Sequence, residues 1–142
     1  MRSVIFALLL NIGLVGWATA GQSKAVSSIP PKDVSMVQLI ADPKRFDGQT
    51  IRVIGYLHLE FEGNAVYLHR EDFERSILQN GIWIELTESQ QKTSTKLNNS
   101  YVLVEGTFSA SEKGHLDIWP GSLQRVSRLS NWSVDRNRGT RR

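Results

Sequence analysis

The run Thr50-Ile51-Arg52-Val53-Ile54-Gly55-Tyr56-Leu57-His58-Leu59-Glu60-Phe61, followed by Gly63-Asn64 and then Ala65-Val66-Tyr67-Leu68-His69-Arg70, decides the fold class. Ile51, Val53, Gly55, Leu57 and Leu59 alternate with polar or aromatic neighbours, as do Val66 and Leu68. That period of two belongs to a strand with one buried face. Gly63-Asn64 between the runs is a strong signal for a two-residue hairpin loop, because both residues tolerate positive φ. With those two as the loop, Leu59 faces Leu68, Phe61 faces Val66, Glu60 faces Tyr67 and His58 faces His69. Turn chemistry and apolar pattern choose this register together.

Outward from the hairpin the same period recurs. Ile82–Leu86, Tyr101–Ala110 and His115–Trp119 read as three further strands, and Leu116 and Ile118 complete the apolar face. Leu123–Leu129 either extends the fifth strand past a Pro120-Gly121 bend or makes one helical turn. Thr87–Ser100 is polar and lacks a clear amphipathic helix, while His69–Ile77, with Glu71, Asp72 and Glu74, reads as a charged connecting loop or helical turn. On the N-terminal side, Ser35 and Gln38 have capping-box spacing, and Val34, Val37, Ile40 and Ala41 follow at helical spacing. Pro43 ends that pattern. The expectation is a mainly β domain: five antiparallel strands, one apolar face to be covered, and a short helix over Asp33–Ala41.

Arg2, an apolar run of about a dozen residues within Val4–Gly16 and the small-x-small triplet Ala18-Thr19-Ala20 make residues 1–20 a secretory signal peptide, with cleavage before Gly21. A membrane anchor is the competing reading, but the run is short of the roughly 20 residues that a spanning helix needs. Residues 21–32 form a flexible Ser/Ala/Pro spacer, residues 33–130 the domain and residues 131–142 a disordered arginine-rich tail. Processing would leave 122 of 142 residues in a periplasmic or secreted protein with no cysteine and hence no disulfide.

The formal charge of +3 does not belong to the domain. Gly21–Val134 carries 12 basic and 13 acidic side chains, whereas Arg136, Arg138, Arg141 and Arg142 crowd the tail. The tail is either a solvated end or a weak electrostatic contact to an anionic membrane surface. A near-neutral domain argues against nucleic acid, which normally demands a positive groove.

Two segments carry a resemblance. Phe46-Asp47-Gly48-Gln49-Thr50-Ile51-Arg52-Val53-Ile54-Gly55-Tyr56 resembles the start of the first strand of an OB-fold, in which a glycine lets one long curved strand serve both halves of the barrel. Val102-Leu103-Val104-Glu105-Gly106-Thr107-Phe108 resembles the fourth strand. Asp33–Leu129 as a whole is similar to small exported bacterial proteins of uncharacterised function, related at fold level to anticodon-binding-like OB domains. The resemblance implies an OB-fold-like barrel and supplies no catalytic residue or cofactor.

OB barrels bind across the second and third strands and in adjacent loops. On the non-core face this places Tyr67, His69, Trp83 and Glu85 as candidate ligand-binding residues, with Arg52, Tyr56, His58 and Glu60 beside them and His115, Asp117 and Trp119 from the fifth strand. Aromatics among polar groups suit stacking on rings; they are equally ordinary cross-strand pairs. An opposed His58/His69 pair would supply two ligands to zinc or copper, with Glu85, His115 or Asp117 as a third. No nucleophile motif or phosphate loop is present. The leading expectation is therefore an exported binding module without catalysis or cofactor, holding a protein, glycan or small ligand. The alternative is a metal-binding protein or metal-dependent enzyme built on His58 and His69.

Overall fold

The computed structural model describes residues 30–133. Within it, Thr50–His58 (β2) hydrogen-bonds to three other strands. Its start takes Lys32–Asp33 (β1) in parallel, its end takes Ala65–Tyr67 (β3) antiparallel, and nearly its whole length pairs antiparallel with Ser100–Ser109 (β5). β3 continues to Gly81–Ile84 (β4), β4 pairs in parallel with Ser122–Asn131 (β6), and β6 returns antiparallel to β5. The ring β2-β3-β4-β6-β5-β2 is a closed five-stranded barrel with β1 as an added edge.

The alternation seen in the sequence fills this barrel. Ile51, Val53, Leu57, Val66, Ile82, Ile84, Val102, Val104, Phe108 and Leu123 are all essentially buried in one cluster. Met36–Ala41 (α1) adds Met36 and Leu39, and the following short 3-10 turn adds Phe46. Ser35 and Gln38 form the reciprocal cap at the start of α1.

The hairpin register differs from the one read in the sequence. Tyr56 pairs with Tyr67, Leu57 with Val66 and His58 with Ala65, so residues 59–64 form the connection and His58 does not face His69. Side-chain chemistry explains the slip. Asn98 accepts a hydrogen bond from the Leu59 N–H at 2.8 Å and donates to the Leu59 carbonyl at 3.1 Å, while the Leu68 N–H is taken by the Asn80 carbonyl at 2.8 Å. Both backbones are thus satisfied outside the ladder. The positive φ falls on Glu62 rather than on Gly63-Asn64. Because the slip is an even number of residues, the side chains that stay in the ladder keep their faces; Phe61, expected on the core face opposite Val66, leaves the ladder and stands 90% exposed.

Two other expectations are corrected. His115–Asp117 is a 3-10 turn, not a strand, with Leu116 75% exposed and both Leu116 and Asp117 at positive φ. The fifth barrel strand is β6. There Arg125, at φ 47°, sits in a bulge opposite Gly106, so Val126 turns inward midway between Leu123 and Leu129. That three-residue spacing is what made the segment ambiguous. The polar stretch after β4 also holds a helix, Glu88–Ser94 (α3), followed by the 3-10 turn Thr95–Leu97. Thr87 and Gln90 cap it, and Gln90 donates to the Val126 carbonyl at the bulge.

Lys32 belongs to β1, Asn131 to β6, and the Trp132 N–H donates to the Tyr101 carbonyl at 2.8 Å. The signal peptide, most of the spacer and the arginines of the tail lie outside the described residues. Among the described residues no helix is long and apolar enough to cross a membrane.

Gly55 is the tightest point of β2. A Cβ there would lie 2.6 Å from both the Tyr67 carbonyl oxygen and Val66 Cγ1, so the chain of β3 occupies the space of a side chain. Gly55→Ala should therefore cost about 1–3 kcal/mol. It should be read as a lower urea midpoint at unchanged slope; an unchanged midpoint would contradict the close approach.

Candidate functional site

The outer side of the barrel is partly covered. Tyr56, Ala65, Tyr67 and Trp119 form a second buried cluster with Phe73, Leu78 and Trp83 packed on it. Arg70–Glu74 (α2) brings Phe73 over β2 and β3, its ring 3.8 Å from that of His58 and 5.7 Å from that of Tyr67. Trp119 reaches across from the β5–β6 connection to meet Tyr67 edge-on at 5.5 Å and Trp83 at 6.4 Å. Asp72, buried at the start of α2, accepts from the His69 N–H at 2.9 Å and from the Asn80 amide at 2.8 Å, a bracing role.

These contacts divide the four candidate binding residues. Tyr67 is 2% exposed beneath Trp119 and Phe73, and presents no open face. His69 is exposed and lies on a separate, largely apolar groove with Val34, Val37, Ile54 and Tyr101. Trp83 and Glu85 do come together, in a cleft of about 620 Å³. The metal pair is not formed either. His58 stacks on Phe73 and sets its Nδ1 2.8 Å from Oδ1 of Asn99, and its strand partner is Ala65. Among the described residues no three His, Cys, Asp or Glu side chains converge as a metal site would need.

The cleft is built by two connections leaning over the barrel. The β2–β3 connection supplies Glu60, Phe61, Glu62 and Asn64; the β5–β6 connection supplies Glu112, Gly114 and His115. Trp83 of β4, with Glu85 just past it, and Ser122 and Gln124 of β6 line it between them, and Gln91 of α3 closes one side. The half-buried Trp83 indole is held in place by glycine. Gly114 has φ +69°, and a Cβ on it would fall within 2.4–2.6 Å of Trp83 Cδ2, Cε3 and Cγ. No other residue fits that position without moving the ring. His115 Nε2 lies 3.6 Å from Glu62 Oε2, a contact between the two connections. Phe61 stands 90% exposed at the rim.

Glu60, Glu62, Glu85 and Glu112 give the lining four carboxylates, and no lysine or arginine lines it. An aromatic wall, acceptor oxygens and the amides of Asn64, Gln91 and Gln124 can stack against a ring or cover a cation, and can accept hydrogen bonds from it. Of these residues, Glu60 and His115 carried a strand-face signal in the sequence. Phe61 carried one for the core face, opposite Val66, and is instead exposed at the rim; Glu62, Glu112, Gly114, Gln91, Ser122 and Gln124 carried none, since they lie on connections or on segments whose strand boundaries differ from those read. The glycine at position 114, next to a polar Ser111-Glu112-Lys113 run, was the one local hint of a constrained turn.

Burial pushes the Tyr67 phenol up to about 12, with the nearby Glu60 charge adding to the effect. The unfolded chain gives up this proton near pH 10, the folded chain only near pH 12. Stability from this group is complete below pH 10 and is lost as pH rises toward 12. Absorbance titration should resolve one of the three tyrosines ionising near 12; common ionisation of all three near 10 in the folded protein would contradict the packing under Trp119. Comparison with protein-family models, with curated proteins and with solved structures found no match to this chain.

Proposed function

We propose that this chain is an exported, non-catalytic binding module of the bacterial envelope, built on an OB-type barrel, with its ligand in the Trp83/Glu85 cleft. The observation that carries the reading is the convergence of the β2–β3 and β5–β6 connections over Trp83, with Gly114 packed on its indole. Those connections follow the first and fourth barrel strands, the loops with which OB-folds reach their ligands. The OB assignment is further supported by β2, whose Gly55 immediately precedes the residues that pair with both β3 and β5, and by α3 in the connection between the third and fourth barrel strands. An apolar ring with a few convergent polar groups in a concave site is the ordinary composition of a ligand pocket. Export rests on the N-terminal pattern of the sequence, and the absence of a nucleophile motif favours binding over reaction.

The test is to add a solubilised bacterial envelope fraction to the ¹⁵N-labelled protein. Amides of residues 59–64 and 110–121 and the Trp83 indole N–H should shift before any others. Trp83→Ala should weaken the effect by about 10- to 30-fold, the usual cost of removing an aromatic anchor. Shifts confined to α1 and the groove beside His69, or undiminished in Trp83→Ala, would remove the cleft from the model of function.

A further inference from the structure

Resting on the reading of the cleft as the ligand site, we infer that the ligand's recognised group is an organic cation, an ammonium or guanidinium. The first observation is charge. Four carboxylates line a space with no lysine or arginine in its wall, although Gly21–Val134 carries 12 basic side chains. Among the described residues, two of the four have only a histidine as basic partner: Glu60 Oε2 lies 3.5 Å from His58 Nε2 and Glu62 Oε2 3.6 Å from His115 Nε2. Glu85 and Glu112 have no basic partner among the described residues. Carboxylates gathered in a concavity make the local potential strongly negative and repel one another, and a bound cation relieves that repulsion.

The second observation is independent of charge. Ser122 lines the cleft while being 1% exposed, and its hydroxyl has no hydrogen-bond partner. A buried hydroxyl left unpaired is costly. An N–H donor entering from the cleft would satisfy it, and ammonium and guanidinium groups bring several such donors. The third is the aromatic wall. Trp83 is the best side chain for holding a cation against a ring face, and Phe61 offers a second ring at the rim. A bare divalent metal is disfavoured, because no three ligating side chains converge among the described residues. An organic cation needs no such convergence: it spreads its charge and touches each carboxylate separately.

The experiment uses two probes, free spermidine and a peptide of the chain's own arginine-rich stretch, residues 135–142, each titrated into the ¹⁵N-labelled protein. Saturable shifts of the Trp83 indole N–H and the Gly114 amide are expected, weakening as NaCl is raised from about 20 to about 300 mM. The double variant Glu85→Gln/Glu112→Gln, changing two exposed side chains, should keep the rest of the spectrum and lose about tenfold in affinity. Response to the peptide alone assigns the cation to a polypeptide, and response to spermidine alone to a free amine; either supports the inference. No saturable shift from either probe, or full affinity in the double variant, overturns it. Chitotriose, a neutral oligosaccharide, distinguishes a cleft that binds something other than a cation from a cleft that binds nothing. If it shifts the same resonances while both cations fail, the cleft remains a ligand site and the cationic assignment is rejected. If all three probes leave Trp83 and Gly114 unmoved while the envelope fraction shifts other surfaces, the cleft itself fails.

Discussion

Tyr56 and Leu57 are hydrogen-bonded into two strands at once, β3 on one side and β5 on the other. A sheet of five strands becomes a barrel only where one strand closes the ring in this way, and here that strand is β2. Closure leaves no exposed edge along the ring and turns one apolar face wholly inward. It also demands a point where the backbone of a neighbour approaches without a side chain between, which Gly55 provides beneath the Tyr67 carbonyl. The connections leaving β2 and β5 are thereby brought to the same end of β4. The cleft around Trp83 is a consequence of that geometry, since neither connection alone encloses it.

The barrel was legible in the sequence because its signal is redundant. Ile51, Val53 and Leu57 alternate, Val102, Val104 and Phe108 alternate, and each pattern survives a change of partner. The hairpin register was not legible, because Asn98 is 34 residues from Asn64 in sequence yet takes the backbone groups of Leu59 that would have extended the ladder. No local rule weighs a distant amide against a Gly-Asn turn. β6 was obscured for a different reason. Its bulge at Arg125 breaks the period of two, so Leu123, Val126 and Leu129 imitate a helical spacing. In α3 the only local signal was the spacing of Thr87 and Gln90, which the structure shows to be a capping box, in a segment without an apolar stripe.

The site was half legible. Trp83 and Glu85 sit where alternation places them, on the outer face of the third barrel strand. Tyr67 occupies an equivalent outer position and is buried, because α2 and Trp119 cover that part of the sheet and leave the part beside Trp83 uncovered. Which portion of a sheet's outer face is covered depends on where loops fold back, and that is a tertiary fact. His58 and His69 show the same limit: a slip of four residues preserves their faces and destroys their proximity. The acidic character of the cleft is likewise assembled from connections far apart in sequence, at Glu60 and Glu62, at Glu85 and at Glu112.

Everything proposed for the cleft depends on Gly114 packing against Trp83 in the protein before any ligand is added. The proton chemical shifts of the Gly114 methylene in the free protein measure this directly, because protons held over an indole face resonate far upfield of an ordinary glycine. The account predicts strongly upfield, well-dispersed Gly114 methylene signals with cross-relaxation to the Trp83 ring. Ordinary glycine shifts without contact to Trp83 would mean that the two connections do not converge, and the cleft would not exist as described.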